Sequence, residues 1–182
     1  NEGLYTPPST RGTILYPFTG GGSNWGGIAF DPRRGVAYVN TPSALHKGTL
    51  IPAGRVSAEK QAAPDVEISP QAGAAYGMRR EVLLSPLGLP CNPPPWGVLS
   101  AVDMTTGKVL WRTPLGTPRA LAPGSQFLLR GVGTPNVGGP IVTAGGVVFI
   151  AAAMDDYLRA FDAAGNQLDA NTAQTPGMDR KA

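Results

Sequence analysis

The sequence predicts an all-β protein of antiparallel strands joined by many turns. Gly (25) and Pro (19) together make up about a quarter of the 182 residues, a share typical of a chain dense in turns. Regular apolar runs such as GGVVFIAAA (145–153) indicate buried strands and argue against disorder. No amphipathic 3.6-residue pattern of useful length is present, so we expect little helix.

The first strands are predicted around a hairpin near the amino end. GTILYPF (12–18) is a short strand candidate between the turns at Pro7-Pro8 and Gly20–Gly22. GGIAFDP (26–32) alternates, and VAYVN (36–40) is the return strand. Asp31-Pro32 is expected to initiate the turn between them.

Residues 41–95 are poor in periodicity and rich in Pro and Ala. A loop of that length inside a compact domain is usually functional or an insertion. We therefore expect a long irregular excursion here.

Regular alternation returns at Trp96. GVLSAVDM (97–104) and VLWRTPLG (109–116) are predicted strands joined by the turn TTGK. Residues 141–168 are predicted as three strands separated by a Gly-Gly turn and an Asp-Asp turn. The polar tail 169–182 is expected to be frayed.

Two segments repeat one pattern, LSAVDMTTGKVLW (99–111) and LRAFDAAGNQLDA (158–170). Each has a small residue, an apolar residue and an Asp (Asp103 or Asp162), then a Gly turn and an apolar strand. Repeats of strand-turn-strand a few tens of residues apart are typical of β-propeller blades, with long Pro/Gly-rich loops between them. The alternative is two unrelated hairpins that share turn chemistry.

The charge pattern excludes several classes of protein. The net charge is +3 and the basic residues are scattered, so we expect no nucleic-acid partner. No stretch of about 18 apolar residues could span a membrane. The chain opens NEGLYTPPSTRGT, without the features of a signal peptide, so we expect a mature end after cleavage or a piece of a longer protein.

Familiar catalytic sets are missing from the sequence. One histidine (His46) and one cysteine (Cys91), far apart, do not suggest a zinc site. Asp155 and Asp156 are adjacent, so we expect a solvated turn rather than a carboxylate pair. There is no nucleophile elbow, and the Gly-rich VGTPNVGG (132–139) precedes a strand, where no phosphate site is expected.

Two polar, glycine-flanked segments remain as candidate binding sites. Asn24-Trp25 and GTPNVGG (133–139) each lie just before a strand, the end of a blade that faces a propeller's channel. Glycine allows a ligand to approach the backbone closely. The alternative for Trp25 is a core tryptophan with a satisfied N–H.

Four long phrases carry a resemblance to a known family. TPPSTRGTILYP, GGSNWGGIAFDPRRGVAYVN, SPLGLPCNPPPWGVLSAVDMTTGKVLW and GGPIVTAGGVVFIAAAMDDYLRAFD occur in that order from about Leu4 to Asp162. They resemble the pyrroloquinoline-quinone (PQQ) dependent dehydrogenases, in particular the membrane-bound glucose and quinate–shikimate group. LGLPCNPPPWG is the most branch-specific phrase.

The resemblance implies part of an eight-bladed propeller of four-stranded antiparallel blades. A tryptophan-docking repeat, A-x-D-x-x-T-G-x-x-x-W, locks the blades in this family. Ala101, Asp103, Thr106, Gly107 and Trp111 match it in full. The second copy keeps Ala160, Asp162 and Gly165 but has Asp169 near the tryptophan position. We therefore expect residues 1–182 to form about three blades, the last one incomplete.

The resemblance also implies cofactor contacts. Asn24 matches an asparagine that hydrogen-bonds the quinone, with Trp25 beside it, and Asn40 is a second contact. The segment Asn136–Gly139, with Val137 and Gly138 as the expected contacts, matches a stretch where some relatives place a tryptophan on the cofactor ring. Because this chain has Val137, aromatic stacking from that side is not implied.

The family's catalytic base, its basic residue at the quinone oxygens and its carboxylate ligand for the divalent cation, usually Ca²⁺, come from earlier blades. We therefore expect no catalytic residue and no metal ligand in this chain, and no turnover by the chain alone. The parent would oxidise glucose, quinate, shikimate or a polyol with PQQ and pass electrons to ubiquinone, in the periplasm with an inner-membrane anchor.

A partial propeller exposes open faces and strand edges, so we expect self-association. The alternative function is a non-catalytic propeller scaffold or binding module. Such modules share the tryptophan-docking phrase but are not expected to carry GGSNWGG or LGLPCNPPPWG.

Overall fold

The protein is described by a computed structural model that covers residues 3–24, 26–118 and 129–172. Within those ranges we find three four-stranded sheets, all of their pairings antiparallel, and one short α-helix. The all-β prediction is therefore confirmed. The chain divides into two compact units, residues 1–21 with 44–92 and residues 22–43 with 93–182.

The first unit contains the elements β1 (Thr13–Leu15), β4 (His46–Pro52), a 3-10 turn (Ala53–Arg55), α1 (Val56–Ala62), β5 (Glu67–Ser69) and β6 (Tyr76–Val82). Its strands form one sheet in the order β1-β4-β6-β5. Ile51, Val56 and Ile68 are buried together between α1 and the sheet.

This unit corrects the expectation of an irregular excursion over residues 41–95. The strands escaped prediction because Lys47 and Thr49 of β4 lie opposite Glu81 and Arg79 of β6, so the sheet face is largely polar. A polar face removes the alternation that marks a half-buried strand. The helix has only seven residues, which is too short to show a 3.6-residue pattern.

The second unit contains two sheets. The first is built from β2 (Ile28–Asp31), β3 (Val36–Pro42), β7 (Gly97–Asp103) and β8 (Val109–Pro114), in the order β2-β3-β7-β8. The second is built from β9 (Ile141–Val142), β10 (Val148–Ile150), β11 (Tyr157–Phe161) and β12 (Gln167–Thr172), in the order β12-β11-β10-β9. The predicted hairpins over 26–40 and 97–116 and the strands over 141–168 are confirmed. The expectation of a frayed tail from residue 169 is wrong for residues 169–172, because β12 pairs with β11 up to Thr172. Residues 173–182 lie outside the described residues.

Both sheets of the second unit are meanders in which each strand pairs with the next strand of that sheet along the chain. In the first of them, the strands β4, β5 and β6 of the other unit come between β3 and β7 in sequence. The last sheet has four strands. The sheet of the first unit, in the order β1-β4-β6-β5, is not a simple meander like the other two. The expectation of about three blades therefore stays a prediction.

The core of the second unit lies between its two sheets. Tyr38, Leu99 and Ala101 from one sheet and Val148 and Phe161 from the other are almost completely buried in one cluster. Burial of this apolar surface is the main force that holds the sheets together.

The two predicted repeat turns have the same internal hydrogen bonds. The Asp103 carboxylate accepts from the Thr105 amide at 2.7 Å, and the Asp162 carboxylate accepts from the Ala164 amide at 2.9 Å. The hydrogen bonds lower the pKa of both carboxyls; at Asp162 the largest contribution comes from the Asn166 side chain. The turn chemistry of the repeat is therefore confirmed.

Trp111, the last residue of the full repeat, packs on the turn of the second copy. Its indole N–H donates to the carbonyl oxygen of Ala163 at 2.9 Å, and its ring lies against Gly165. The indole also lies 5.9 Å from the Tyr38 ring, measured between centroids. Trp111 therefore connects the two sheets of the second unit, as its assignment to structure predicted.

Candidate functional site

The two glycine-flanked candidate segments meet in the second unit. A Cβ placed on Gly26 would lie 2.5 Å from the carbonyl oxygen of Val137 and 2.6 Å from the carbonyl carbon of Gly138. A Cβ on Gly139 would overlap the carbonyl oxygen of Gly26. Both glycines are required because the two backbones touch directly. Trp25 lies outside the described residues.

Asn40 connects the end of β3 to the same segment. Its side chain is buried, 4% exposed, and the amide Nδ2 donates to the carbonyl oxygen of Gly138 at 2.6 Å. Its Oδ1 atom is buried and has no hydrogen-bond partner in the described part of the chain. A buried amide oxygen without a partner is costly, which makes this atom a candidate ligand contact.

Asn24 and Val137 lie at the border of this arrangement. The carbonyl oxygen of Asn24 accepts from the Gly27 amide at 2.8 Å, so the residue belongs to a turn that ends next to Gly26. Asn24 is half-buried, and Val137 is 39% exposed. Three of the five predicted residues, Asn24, Val137 and Gly138, thus lie on or within two residues of one backbone contact, and a fourth, Asn40, hydrogen-bonds to it.

Asn136 lies in the predicted segment 133–139 but was not singled out there as a contact residue. It is 4% exposed, and its Nδ2 donates to the carbonyl oxygen of Thr134 at 2.8 Å. Its Oδ1 also has no partner among the described residues. Gly97 leaves room for this side chain, since a Cβ there would overlap Asn136 Nδ2 and the Thr134 oxygen. The signal in the sequence was an asparagine between proline and valine in a glycine-rich segment.

The loop after β10 packs against Gly138. A Cβ on Gly138 would lie 2.9 Å from the Cβ of Ala152, so only a glycine fits there. The backbone amide of Met154 donates to the Thr134 hydroxyl at 3.3 Å. The candidate site therefore depends on the conformation of residues 151–155.

Asp155 in that loop corrects the expectation of a solvated Asp-Asp turn. Its side chain is buried and forms a two-point ion pair with Arg159, of which the Nη1–Oδ1 bond is 2.9 Å. The amide and hydroxyl of Thr117 also donate to Oδ2, at 2.7 and 2.9 Å. Burial alone would raise the pKa of Asp155, but the Arg159 guanidinium and Thr117 outweigh it and hold the pKa below its usual value.

The arrangement can bind but offers no proton transfer. Asn24, Asn40, Val137 and Gly138 carry no ionisable side chain, so none of them can act as a general acid or base. In the described ranges no group of three or more His, Cys, Asp or Glu residues could hold a metal ion. Amide donors and acceptors beside a glycine-lined backbone are suited to hold a flat polar ligand.

No described helix is long and apolar enough to cross a membrane.

A solved structure defines the class of fold. The quinohemoprotein alcohol dehydrogenase from Comamonas testosteroni matches with a TM-score of 0.52 over 90% of this chain and 20% of its own, at 23% identity. The similarity supports the propeller fold predicted from the repeats.

The chain belongs to the family described as PQQ, glucose/ethanol/alcohol dehydrogenase, β-propeller domain, whose model matches residues 1–179. The quinoprotein glucose dehydrogenase of Escherichia coli (strain K12) is 41% identical over 169 residues, 88% of this chain and 21% of that protein. The quinate/shikimate dehydrogenase (quinone) of Acinetobacter baylyi is 38% identical over 177 residues, 88% and 21% respectively. The chain therefore spans about a fifth of the length of these curated relatives.

Proposed function

We propose that this chain forms part of a PQQ-dependent dehydrogenase that oxidises glucose, quinate, shikimate or a polyol. Within that enzyme it supplies one wall of the cofactor site. The observation that carries the proposal is the hydrogen bond from Asn40 to Gly138, beside the backbone contact of Gly26 with residues 137–139. These residues come from segments that the family resemblance implicated separately.

The polar groups present fit a planar quinone cofactor. PQQ carries carboxylates and carbonyl oxygens that accept hydrogen bonds, and a ring N–H that donates one. Asn24 offers an amide, and the buried Oδ1 atoms of Asn40 and Asn136 are acceptors without a partner in the described chain. The glycines beside them let a flat ring approach the backbone.

The residue types indicate which roles the chain can perform and which the cofactor must supply. PQQ, when bound, supplies the electrophilic carbonyl that takes two electrons from the alcohol carbon. Asn24 and Asn40 orient a ligand through their side-chain amides. The contact of Gly26 with Gly139 holds the segment after Asn24 against the segment that accepts the Asn40 hydrogen bond. Removal of the alcohol proton needs a base, which none of the five site residues provides. The chain by itself is therefore expected to show no turnover.

Three further parts of the proposal concern the whole enzyme. A divalent cation, Ca²⁺, would be held mostly by carboxylates outside this chain. Electrons would pass to ubiquinone, and the enzyme would act in the periplasm with an anchor in the inner membrane. These statements rest on the family and not on contacts within this chain.

A titration of the purified chain with PQQ and Ca²⁺ tests the proposal, and quenching of tryptophan fluorescence reports the binding. We expect saturable quenching and an approximately tenfold weaker affinity for Asn24→Ala, the loss of about one strong hydrogen bond. Ser23→Ala, an exposed neighbour in the same turn region, is the matched control and should bind as the unchanged chain does. Absence of saturable quenching, or equal weakening by both variants, would contradict the assigned role of Asn24.

A further inference from the structure

The first unit contains a cavity of about 490 Å³ that the proposed dehydrogenase function does not use. The volume lies within the range of small-molecule sites. Its wall includes Lys47 and Thr49 of β4, Arg79 and Glu81 of β6, and Glu59 of α1. The lining residues that the structure describes all belong to the first unit.

The sheet register places the polar groups on one face. Lys47 pairs with Glu81 and Thr49 with Arg79 in the antiparallel ladder. Residues opposite each other, and residues two apart along a strand, point to the same side of a sheet. The four side chains therefore form one polar surface at the wall of the cavity.

Ion pairs fix the acidic residues of the wall. Glu59 accepts from Arg55 at 3.3 Å and from Arg79 at 3.2 Å, and Glu81 accepts from Arg79 at 2.8 Å. The hydrogen bond from Arg79 is the main cause that lowers the pKa of Glu81, so this carboxylate stays charged. Its remaining lone pairs can accept hydrogen bonds from ligand hydroxyls.

Lys47 forms no close ion pair among the described residues, although its charge acts at longer range on Glu81, its partner across the ladder. Within the ranges 3–24, 26–118 and 129–172, no carboxylate lies within 4.0 Å of its ammonium group. Gly12 holds its aliphatic stem in place, since a Cβ there would lie 2.5 Å from Lys47 Cε. A cation held in this way can bind an anionic group.

Thr49 adds a second unsatisfied group. Its hydroxyl oxygen is buried and has no partner among the residues that the structure describes. The described part of the lining carries three cations (Lys47, Arg55 and Arg79) and two anions (Glu59 and Glu81), an excess of one positive charge. A ligand with one negative charge and several hydroxyl groups complements both features.

We propose that this cavity binds a small hydroxy acid with a single carboxylate. Lys47 binds the carboxylate, the Thr49 hydroxyl hydrogen-bonds the ligand, and Glu81 accepts from a ligand hydroxyl. The site is separate in sequence and in unit from Asn24, Asn40 and Gly138, so it does not depend on the proposed cofactor site.

The test is an NMR titration of the ¹⁵N-labelled chain with D-gluconate, a six-carbon hydroxy acid. Acetate, which has the carboxylate alone, and D-glucitol, which has the hydroxyls alone, are the comparison ligands. We expect saturable shifts at the amides of Lys47, Thr49 and Glu81 with gluconate, and affinities about tenfold weaker with acetate and with glucitol.

Variants distinguish binding at this cavity from non-specific electrostatic attraction of the ligand. Lys47→Gln should weaken gluconate binding about tenfold, and Thr49→Val, which keeps the shape of the side chain, about fivefold. Lys60→Gln removes an exposed lysine of α1 that does not line the cavity and should leave the affinity unchanged. The proposal is overturned if gluconate gives no saturable shifts, if acetate binds equally well, or if Lys60→Gln weakens binding as much as Lys47→Gln does.

Discussion

The indole N–H of Trp111 donates a 2.9 Å hydrogen bond to the carbonyl oxygen of Ala163, a residue 52 positions further along the chain. The bond joins strand β8 of one sheet to the turn between β11 and β12 of the next. The first copy of the repeat thus supplies the tryptophan, and the second copy supplies the turn that receives it.

Trp111→Phe keeps an aromatic ring but removes the N–H donor and part of the apolar area. We expect the free energy of unfolding to fall by about 2 kcal/mol, from the lost hydrogen bond and the lost burial. Urea denaturation followed by circular dichroism measures it. Leu110→Ala, at a neighbouring side chain that is 53% exposed, should change stability by no more than about 0.5 kcal/mol, and a loss as large as that of Trp111→Phe would argue against the docking contact.

The two repeat turns provide a matched pair of glycine substitutions. Gly107 and Gly165 both have positive φ, +70° and +87°, but no atom of the described residues lies within 4 Å of a Cβ on Gly107. A Cβ on Gly165 would lie 2.6 Å from Cδ2 of Trp111. Gly107→Ala should cost about 1 kcal/mol from backbone strain, and Gly165→Ala about 3 kcal/mol because the clash is added. Equal losses in thermal or urea denaturation would show that the indole does not pack on Gly165.

The contact of Gly26 with residues 137–139 predicts that alanine substitutions at Gly26 and at Gly22 differ in their effect on stability. Gly26→Ala inserts a methyl group against backbone atoms that cannot rotate away, so we expect a loss of about 2 kcal/mol. Gly22→Ala, in the same loop and with no described atom within 4 Å of its Cβ, should be neutral within about 0.5 kcal/mol. Hydrogen exchange at residues 137–139 should accelerate in Gly26→Ala alone, and unchanged exchange would contradict the contact.

The buried ion pair of Asp155 and Arg159 predicts a dependence of stability on pH. Because the folded pKa of Asp155 lies below its ordinary value, about 4, the unfolded state binds more protons between the two values. The contribution of Asp155 is therefore complete above pH 5 or so and is lost as the pH falls through the lowered pKa. Denaturation curves across this range should be less pH-dependent for Asp155→Asn.

At neutral pH, Asp155→Asn should destabilise the protein by roughly 3 kcal/mol, since the Arg159 guanidinium stays buried without its counterion. The double variant Asp155→Leu with Arg159→Met removes both charges and should regain most of that loss. If the double variant is as unstable as the single one, the loss comes from packing or from Thr117 and not from the unpaired charge.

The outer face of strand β2 predicts self-association of the chain. Ile28 and Phe30 are 55% and 50% exposed and alternate with the buried Ala29. Exposed apolar residues in a row on a sheet mark a surface that another surface covers. Sedimentation should show a mass above that of the monomer that rises with concentration, and Phe30→Thr should shift it toward the monomer. A single monomeric species at all concentrations would contradict this prediction.

Local chemistry explains which parts of the fold were predicted from the sequence. Asp103 and Asp162 close their turns through hydrogen bonds that span two to four residues, so the strand-turn-strand repeat was readable directly. The sheet of the first unit could not be predicted from the sequence. The charged residues Lys47, Arg79 and Glu81 interrupt the alternation of apolar and polar residues in β4 and β6. Asp155 was misjudged because an Asp-Asp pair in a turn is ordinarily solvated, whereas here Arg159 and Thr117 surround its carboxylate.

The strand class, the repeat turns, the structural role of Trp111 and the candidate site residues could all be predicted from the sequence. The contact of Asn40 with Gly138, which is 98 residues away, and that of Gly26 with Gly139 emerge only in the folded chain. The tertiary structure also singled out Asn136 and revealed the cavity beside Lys47 and Thr49. The physical reason is range: a turn is closed by atoms a few residues apart, whereas a buried amide and its acceptor are brought together only when whole sheets pack.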